Sequence, residues 1–189
     1  MHILEKNLRI LRLFHAKGRK DEERHVEISK AVPQDAALIK QIMLASKAHW
    51  GYSENWIAAW GNHLTISPAY IRENDIYIAR ENPQSVLGFH GIKLHEKGLC
   101  ERLELWVIPQ RIGTGIGRLL FLHALEMARA LGASEMQWEA DPHAVGFYHH
   151  MGAYHIREID SKLEGQRLPV MGIKIASSAF SSGVSAHAD

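Results

Sequence analysis

With one cysteine in 189 residues, Cys100, the chain has no partner for an internal disulfide and no Cys-rich zinc site. An excess of either charge is also missing. The 22 Lys and Arg against 21 Asp and Glu give a formal charge of +1, so no global field draws the chain toward nucleic acid or an anionic membrane. No apolar run is long enough to span a bilayer. Charges threaded through the first residues leave no apolar h-region of a secretory signal. The 13 histidines include no metal-type spacing such as H-E-x-x-H, so no metal is expected. No segment repeats another. What is present, 46% hydrophobic and 23% charged residues, suits one domain with a sizeable core, expected in the cytoplasm.

Periodicity gives the organisation. Residues 1–24 read as a variable N-terminal extension. Within it Ile3, Leu4, Leu8, Leu11 and Phe14 fall on one side of a short amphipathic helix, the alternative being a docking or dimerisation helix. Residues 25–176 form the domain, and 177–189, rich in Ser, Ala and Gly, read as a flexible tail. Val26–Val32 alternates like a strand, and Pro33 with Asp35 opens a helix running to about Ala48. Ser53 and Ser67-Pro68 open two further helices. Ile76–Ala79 and Val86–Leu94 read as strands joined by Asn82-Pro83, and Cys100–Ile108 as the next. A long helix ends at Leu131 before Gly132. Glu135–Ala140 is a strand, His143–Met151 a short helix, and Tyr154–Ile159 and Val170–Ile175 close the chain. The order implies an α+β single domain with a mixed, mostly antiparallel sheet flanked by helices.

The stretch "VIPQRIGTGIGRLL" (107–120) bridges a strand and that long helix. Consecutive N–H groups and the helix dipole make an anion site there, and the glycines let phosphate oxygens come close. A Walker loop would end in Gly-Lys-Ser/Thr, whereas this one ends Gly117-Arg118-Leu119. A dinucleotide fingerprint needs G-x-G-x-x-G in an early βαβ unit, and here G-x-G-x-G follows antiparallel strands.

The stretch resembles the acetyl-CoA pyrophosphate loop of the GNAT superfamily N-acetyltransferases, V-x-P-x-x-R/Q-G-x-G-I-G-x-x-L. Val107, Pro109, Gly113, Gly115, Ile116, Gly117 and Leu120 match. "DPHAVGFYHHMGAY" (141–154) is similar to the family's second hallmark, N-x-x-A-x-x-F/L-Y-x-x-x-G-F, through Ala144, Phe147, Tyr148 and Gly152. The resemblance covers most of the chain. It departs at Ile112, where the family has Arg or Gln, and at Asp141, where it has Asn. It implies acetyl-CoA in the splay between the fourth and fifth strands counted from Val26. There it would be held by Trp106, Val107, Ile112, Gly113, Thr114, Gly115, Ile116, Gly117, Arg118, Asp141, Ala144, Phe147 and Tyr148. Arg111 or Arg118 would supply charge in place of the missing side chain at 112.

The resemblance also places Tyr148 as the acid for the departing thiolate. Alternation puts Arg102, Glu104 and Trp106 on one face of their strand, and Glu104 stands where many family members carry a proton-relaying acid. Glu139 on the next strand is its rival as base. The plain alternative for either is a carboxylate paired with a cation such as Arg102. In "SKAHWGYSENW", Trp50, Tyr52 and Trp56, with His49, wall an apolar pocket or hold a cation, or else pack two helices together. Arg167 grips an acceptor carboxylate or anchors its loop. The expected activity is acetyl transfer to a primary amine of a small molecule. The alternatives are a non-enzymatic acyl-CoA sensor and a protein N-acetyltransferase. A homodimer is the default among soluble oligomers.

Overall fold

The computed structural model describes residues 9–12, 25–64, 66–95, 98–161 and 167–176. Within these residues eight strands form one sheet: β1 (Arg9–Arg12), β2 (His25–Lys30), β3 (Asp75–Asn82), β4 (Ser85–Leu94), β5 (Leu99–Val107), β6 (Glu135–Glu139), β7 (Tyr154–Asp160) and β8 (Arg167–Lys174). Their spatial order is β1-β2-β3-β4-β5-β6-β8-β7. Only β5 and β6 run parallel; every other neighbour is antiparallel. The α+β class and mixed sheet are as expected from the sequence.

Among the described residues five α-helices cover the sheet: α1 (Ala36–His49), α2 (Glu54–His63), α3 (Pro68–Glu73), α4 (Ile116–Ala130) and α5 (Val145–His150). Asp35 accepts the Val32 N–H at 2.9 Å and so closes the 3₁₀ turn Pro33–Asp35 that leads into α1. Ser53 and Ser67 cap α2 and α3 through their hydroxyls. The period-two alternation of β3 sends Ile76 and Ile78 to a core with α1 and α3. Tyr77 and Ala79 go to a core with α4 on the opposite face.

Two elements differ from the sequence reading. Arg9–Arg12, expected within an amphipathic helix, is a strand paired from Arg9↔Ile28 to Arg12↔His25. The outer edge of β2 offers a row of unpaired N–H and C=O groups, and satisfying them outweighs a four-residue stretch of helical periodicity. The rest of 1–24, and 177–189, lie outside the described residues. The expected helix His143–Met151 is a 3₁₀ turn, Pro142–Ala144, leading into α5. Proline at the first position of that turn fixes the entry but donates no hydrogen bond. No helix among the described residues is long and apolar enough to cross a membrane.

A histidine pair lies between α4 and the sheet. His90 Nε2 and His123 Nδ1 are 2.7 Å apart, both buried. The Tyr77 ring stacks on His90 at 5.2 Å and meets His123 edge-on at 5.0 Å. Burial, and then the neighbouring His123, hold the His90 pKa well below the ordinary histidine value. The native state therefore keeps His90 neutral where an unfolded chain would protonate it. Its stabilising contribution is complete above about pH 6.5 and is lost as pH falls from there toward the depressed native value.

Urea denaturation should accordingly show stability falling by up to about 1.4 kcal/mol per pH unit below pH ~6.5 on account of this group. His90→Leu, whatever its stability at neutral pH, should lose less on acidification. An identical acid slope in the two proteins would refute the assignment.

Candidate active site

The site begins where β5 and β6 separate. They pair only at Leu99↔Glu135 and Cys100↔Met136. Beyond that, β5 stays with β4 as far as Gly88↔Val107, and β6 stays with β8 as far as Glu139↔Val170. A wedge therefore opens toward the C-terminal ends of both strands. Counted from Val26 these are the fourth and fifth strands; β1 moves the count by one. On the β4 side the packing is tight. A Cβ on Gly88 would stand 2.4 Å from the Trp106 carbonyl oxygen, so only glycine lets β4 lie so close to β5. The Ser46 hydroxyl donates to the Val107 carbonyl at 2.5 Å, tying α1 to the end of β5.

The glycine loop closes one side of the wedge. Arg111 is committed to Glu81, with Nη2–Oε2 at 2.7 Å. Its charge is thus shared with a carboxylate beside the loop. Thr114 donates its hydroxyl to the Arg111 carbonyl at 2.7 Å, and Gly115 enters α4 with φ +90°, a conformation costly for other residues. The N–H groups of Ile116, Gly117 and Arg118 have no acceptor among the described residues, as befits a first helical turn. A Cβ on Gly117 would meet only ordinary contacts, Phe147 at 3.6 Å and Val107 at 3.8 Å. Its absence leaves room rather than relieving a clash. Arg118 is exposed and Ile112 half-buried.

Alternation along β5 places its side chains as expected. Leu105 and Val107 pack toward α4, and Trp106 toward the α1 and α3 core. Glu104, on the Trp106 side, accepts the indole N–H at 3.1 Å. Tyr148 is buried on α5 against Trp138, ring centroids 4.8 Å apart. Burial, then the charges of Glu104 and Asp141, push its pKa above the ordinary phenol value. The phenol thus keeps its proton through neutral pH. Glu104 reaches Tyr148 electrostatically. Glu139, exposed on β6, is not among the charges that act on it.

The most concentrated chemistry lies between α1 and α5. Lys47, 6% exposed, hydrogen-bonds Asp141 through its ammonium. Nζ also lies 4.7 Å from the ring centroid of Tyr52, 5.2 Å from Trp56, 5.3 Å from Trp60 and 5.8 Å from Trp106, all within cation–π range. Asp141 receives the Tyr52 hydroxyl at 3.1 Å and the His143 N–H at 2.9 Å. Burial works to raise the Asp141 pKa. The Lys47 hydrogen bond and charge, with the His143 and Tyr52 donors, outweigh it and hold the carboxyl below its usual value. The aromatics thus do hold a cation, and that cation is the chain's own. Trp50 stacks on His143 at 5.4 Å beside them. Arg167 does not join this group; it is exposed and faces Asp160 across the β7–β8 hairpin at 3.8 Å.

Sequence reasoning missed Lys47, Trp60 and His143. A signal for Lys47 was present. It lies four residues past Met43 and eight past Ile39, on the buried stripe of α1. A lysine there needs a buried partner.

A model of the acetyltransferase (GNAT) family matches residues 44–153, more than half of the chain. The mycothiol acetyltransferase of Gordonia bronchialis is 36% identical over 73 residues, 38% of this chain. The match spans about a quarter of that curated relative, 24%. Among solved structures, a GCN5-related N-acetyltransferase from Rhodopseudomonas palustris superposes with a TM-score of 0.65 at 22% identity, covering 78% of this chain and 94% of its own. The PaiA N-acetyltransferase of Thermoplasma acidophilum, solved with coenzyme A, gives 0.61 at 20% identity over 79% and 98%. Both share the fold.

Removing one member of the buried pair should be costly. Asp141→Ala is expected to destabilise the protein by about 3–5 kcal/mol in urea denaturation at pH 7, because it strands the Lys47 charge. Asp141→Asn, which keeps an acceptor for the His143 N–H, should cost less. A loss below about 1 kcal/mol for Asp141→Ala would contradict a buried, mutually dependent pair.

Proposed function

The chain belongs to the acetyltransferase (GNAT) family, and from that premise we propose that it transfers an acetyl group from acetyl-CoA to the primary amine of a small molecule. One observation carries the reading: the open end of the β5–β6 wedge gathers free helix N–H groups, a protonated buried phenol and a carboxylate. Acetyl-CoA, when bound, supplies an activated acetyl carbonyl and a thiolate leaving group.

The residues fit that ligand. The unpaired N–H groups at Ile116, Gly117 and Arg118 suit a pyrophosphate, and the bare Gly113 and Gly117 leave its oxygens room. Thr114, Gly115 and Ile112 shape the loop, with binding carried by main chain rather than by a side chain at 112. The β5 backbone at Trp106 and Val107 lines one side of the pantetheine path, and Ala144, Phe147 and Tyr148 the other. Asp141 is held by Lys47 and works through it.

Tyr148 holds the proton that a departing thiolate needs. Glu104 takes the proton from the acceptor amine, directly or through water. Its bond to the Trp106 indole fixes one oxygen and leaves the other available. Trp106, with Trp60, Trp56 and Tyr52, walls the acceptor side, and Trp50 with His143 stands at its exposed rim. An aromatic wall of this size suits a small molecule more than a basic protein tail.

Measured as free CoA released with a panel of amines, Tyr148→Phe should lower kcat about a hundredfold or more with little change in acetyl-CoA affinity. Unchanged turnover would remove Tyr148 from the mechanism, and binding without turnover across the panel would favour an acyl-CoA sensor. Glu104→Gln should abolish the limb of the pH–rate profile that reports the base, and Glu139→Gln should leave it intact; the reverse result would move the role to Glu139. Ile112→Arg should tighten acetyl-CoA binding or leave it unchanged. A large loss of affinity would mean that the loop is misplaced.

A further inference from the structure

We infer that Lys47 sets the charge specificity of the acceptor pocket, so that the acceptor is a monoamine whose far end is neutral or anionic, and diamines are rejected. This rests on the acetyl-transfer reading for where the acceptor lies.

The aromatic box has the form of a site for an alkylammonium ligand, but Lys47 already fills it. Asp141 does not cancel that charge uniformly. Its hydrogen bonds come from Lys47, Tyr52 and His143 rather than from Trp60 or Trp106. Trp60 and Trp106 meet the ammonium, at 5.3 and 5.8 Å. The Trp106 indole consequently meets opposite charges: the Lys47 cation over its ring and the Glu104 carboxylate at its N–H edge, 3.1 Å away. An acceptor lying along that indole is oriented by the pair. Its amine goes to Glu104 and its remote end toward Lys47. A carboxylate, hydroxyl or aryl group is favoured or tolerated at that remote end. A second ammonium there meets like charge in a water-poor surround, where charge–charge interactions are strong. The Asp141 hydrogen bond and the four rings hold the Lys47 side chain in place, so its ammonium acts as a fixed field beside the acceptor.

The test titrates three molecules of equal chain length, hexylamine, hexamethylenediamine and ε-aminocaproate, into the CoA-bound protein. The readout is the intrinsic fluorescence of the box tryptophans, which needs no turnover. In the wild type the diamine should bind at least about tenfold more weakly than hexylamine, ~1.4 kcal/mol, and aminocaproate at least as tightly. The double variant Lys47→Met/Asp141→Asn removes both charges and leaves no orphan ion. In it the three affinities should converge to within about threefold. Lys47→Arg should keep the discrimination. Asp141→Asn, which leaves the cation uncompensated, should sharpen it, an opposite-sign response that a purely structural role for the pair would not give. An unchanged diamine ratio in a double variant that retains its far-UV circular dichroism would overturn the inference. So would the absence of a saturable response to any of the three in the wild type. Acetyl-CoA affinity measured alongside separates these outcomes from failure of the acetyl-transfer reading itself.

Discussion

Everything at the site follows from the fact that β5 and β6 cannot remain paired. A parallel pair needs evenly spaced, slanted hydrogen bonds along its length, and here the two strands share only the register around Leu99 and Cys100. Each is held elsewhere, β5 by β4 and β6 by β8. Gly88 fixes the first attachment by admitting the Trp106 carbonyl where any side chain would collide. The backbone of β5 beyond the split is therefore positioned from one side and open on the other. That opening brings strand backbone, the first turn of α4 and the lead-in to α5 to a common edge.

The electrostatics fit that opening. Tyr148 is buried between two negative groups, and both disfavour its anion. Asp141 is itself compensated by Lys47, and Glu104 is held by a neutral donor, the Trp106 indole. The two carboxylates near the phenol are thus not equivalent. One is locked in an ion pair and caps the turn before α5; the other is bonded through one oxygen to the Trp106 indole. Two carboxylates thus differ in character because one has a cation for its partner and the other a neutral N–H.

Much of this was legible along the chain because it is local. The glycines before α4, the alternation of β5 and the Phe147-Tyr148 step on α5 are each set within a dozen residues; periodicity gives the second, and resemblance to family motifs marks the first and third. The Lys47–Asp141 pair was not legible, since its members are 94 positions apart. Asp141 stands out as a departure from the family motif and Lys47 as a lysine on a buried stripe, but nothing in the sequence joins them until the sheet brings α1 to the turn before α5. Arg167 differs in the opposite way. Its type suggested carboxylate binding, but the hairpin register sets it beside Asp160 on an exposed edge. Arg9–Arg12 were misread because edge pairing depends on a neighbour that no window of sequence contains.

The helix α1 has a mechanical consequence. Its 14 residues make a rod of about 21 Å at 1.5 Å per residue, and both ends are pinned by an aspartate–cation pair. At the start, Asp35 accepts Arg80 from β3 at 2.8 Å. At the end, Lys47 engages Asp141, with Ser46 beside it on the Val107 carbonyl. A rod clamped at both ends neither slides nor pivots freely, so a disturbance at one anchor is conveyed along its axis to the other. The Asp35–Arg80 clasp, a helix length from the wedge, is thereby part of what keeps the aromatic box in register with the strands that part beneath it.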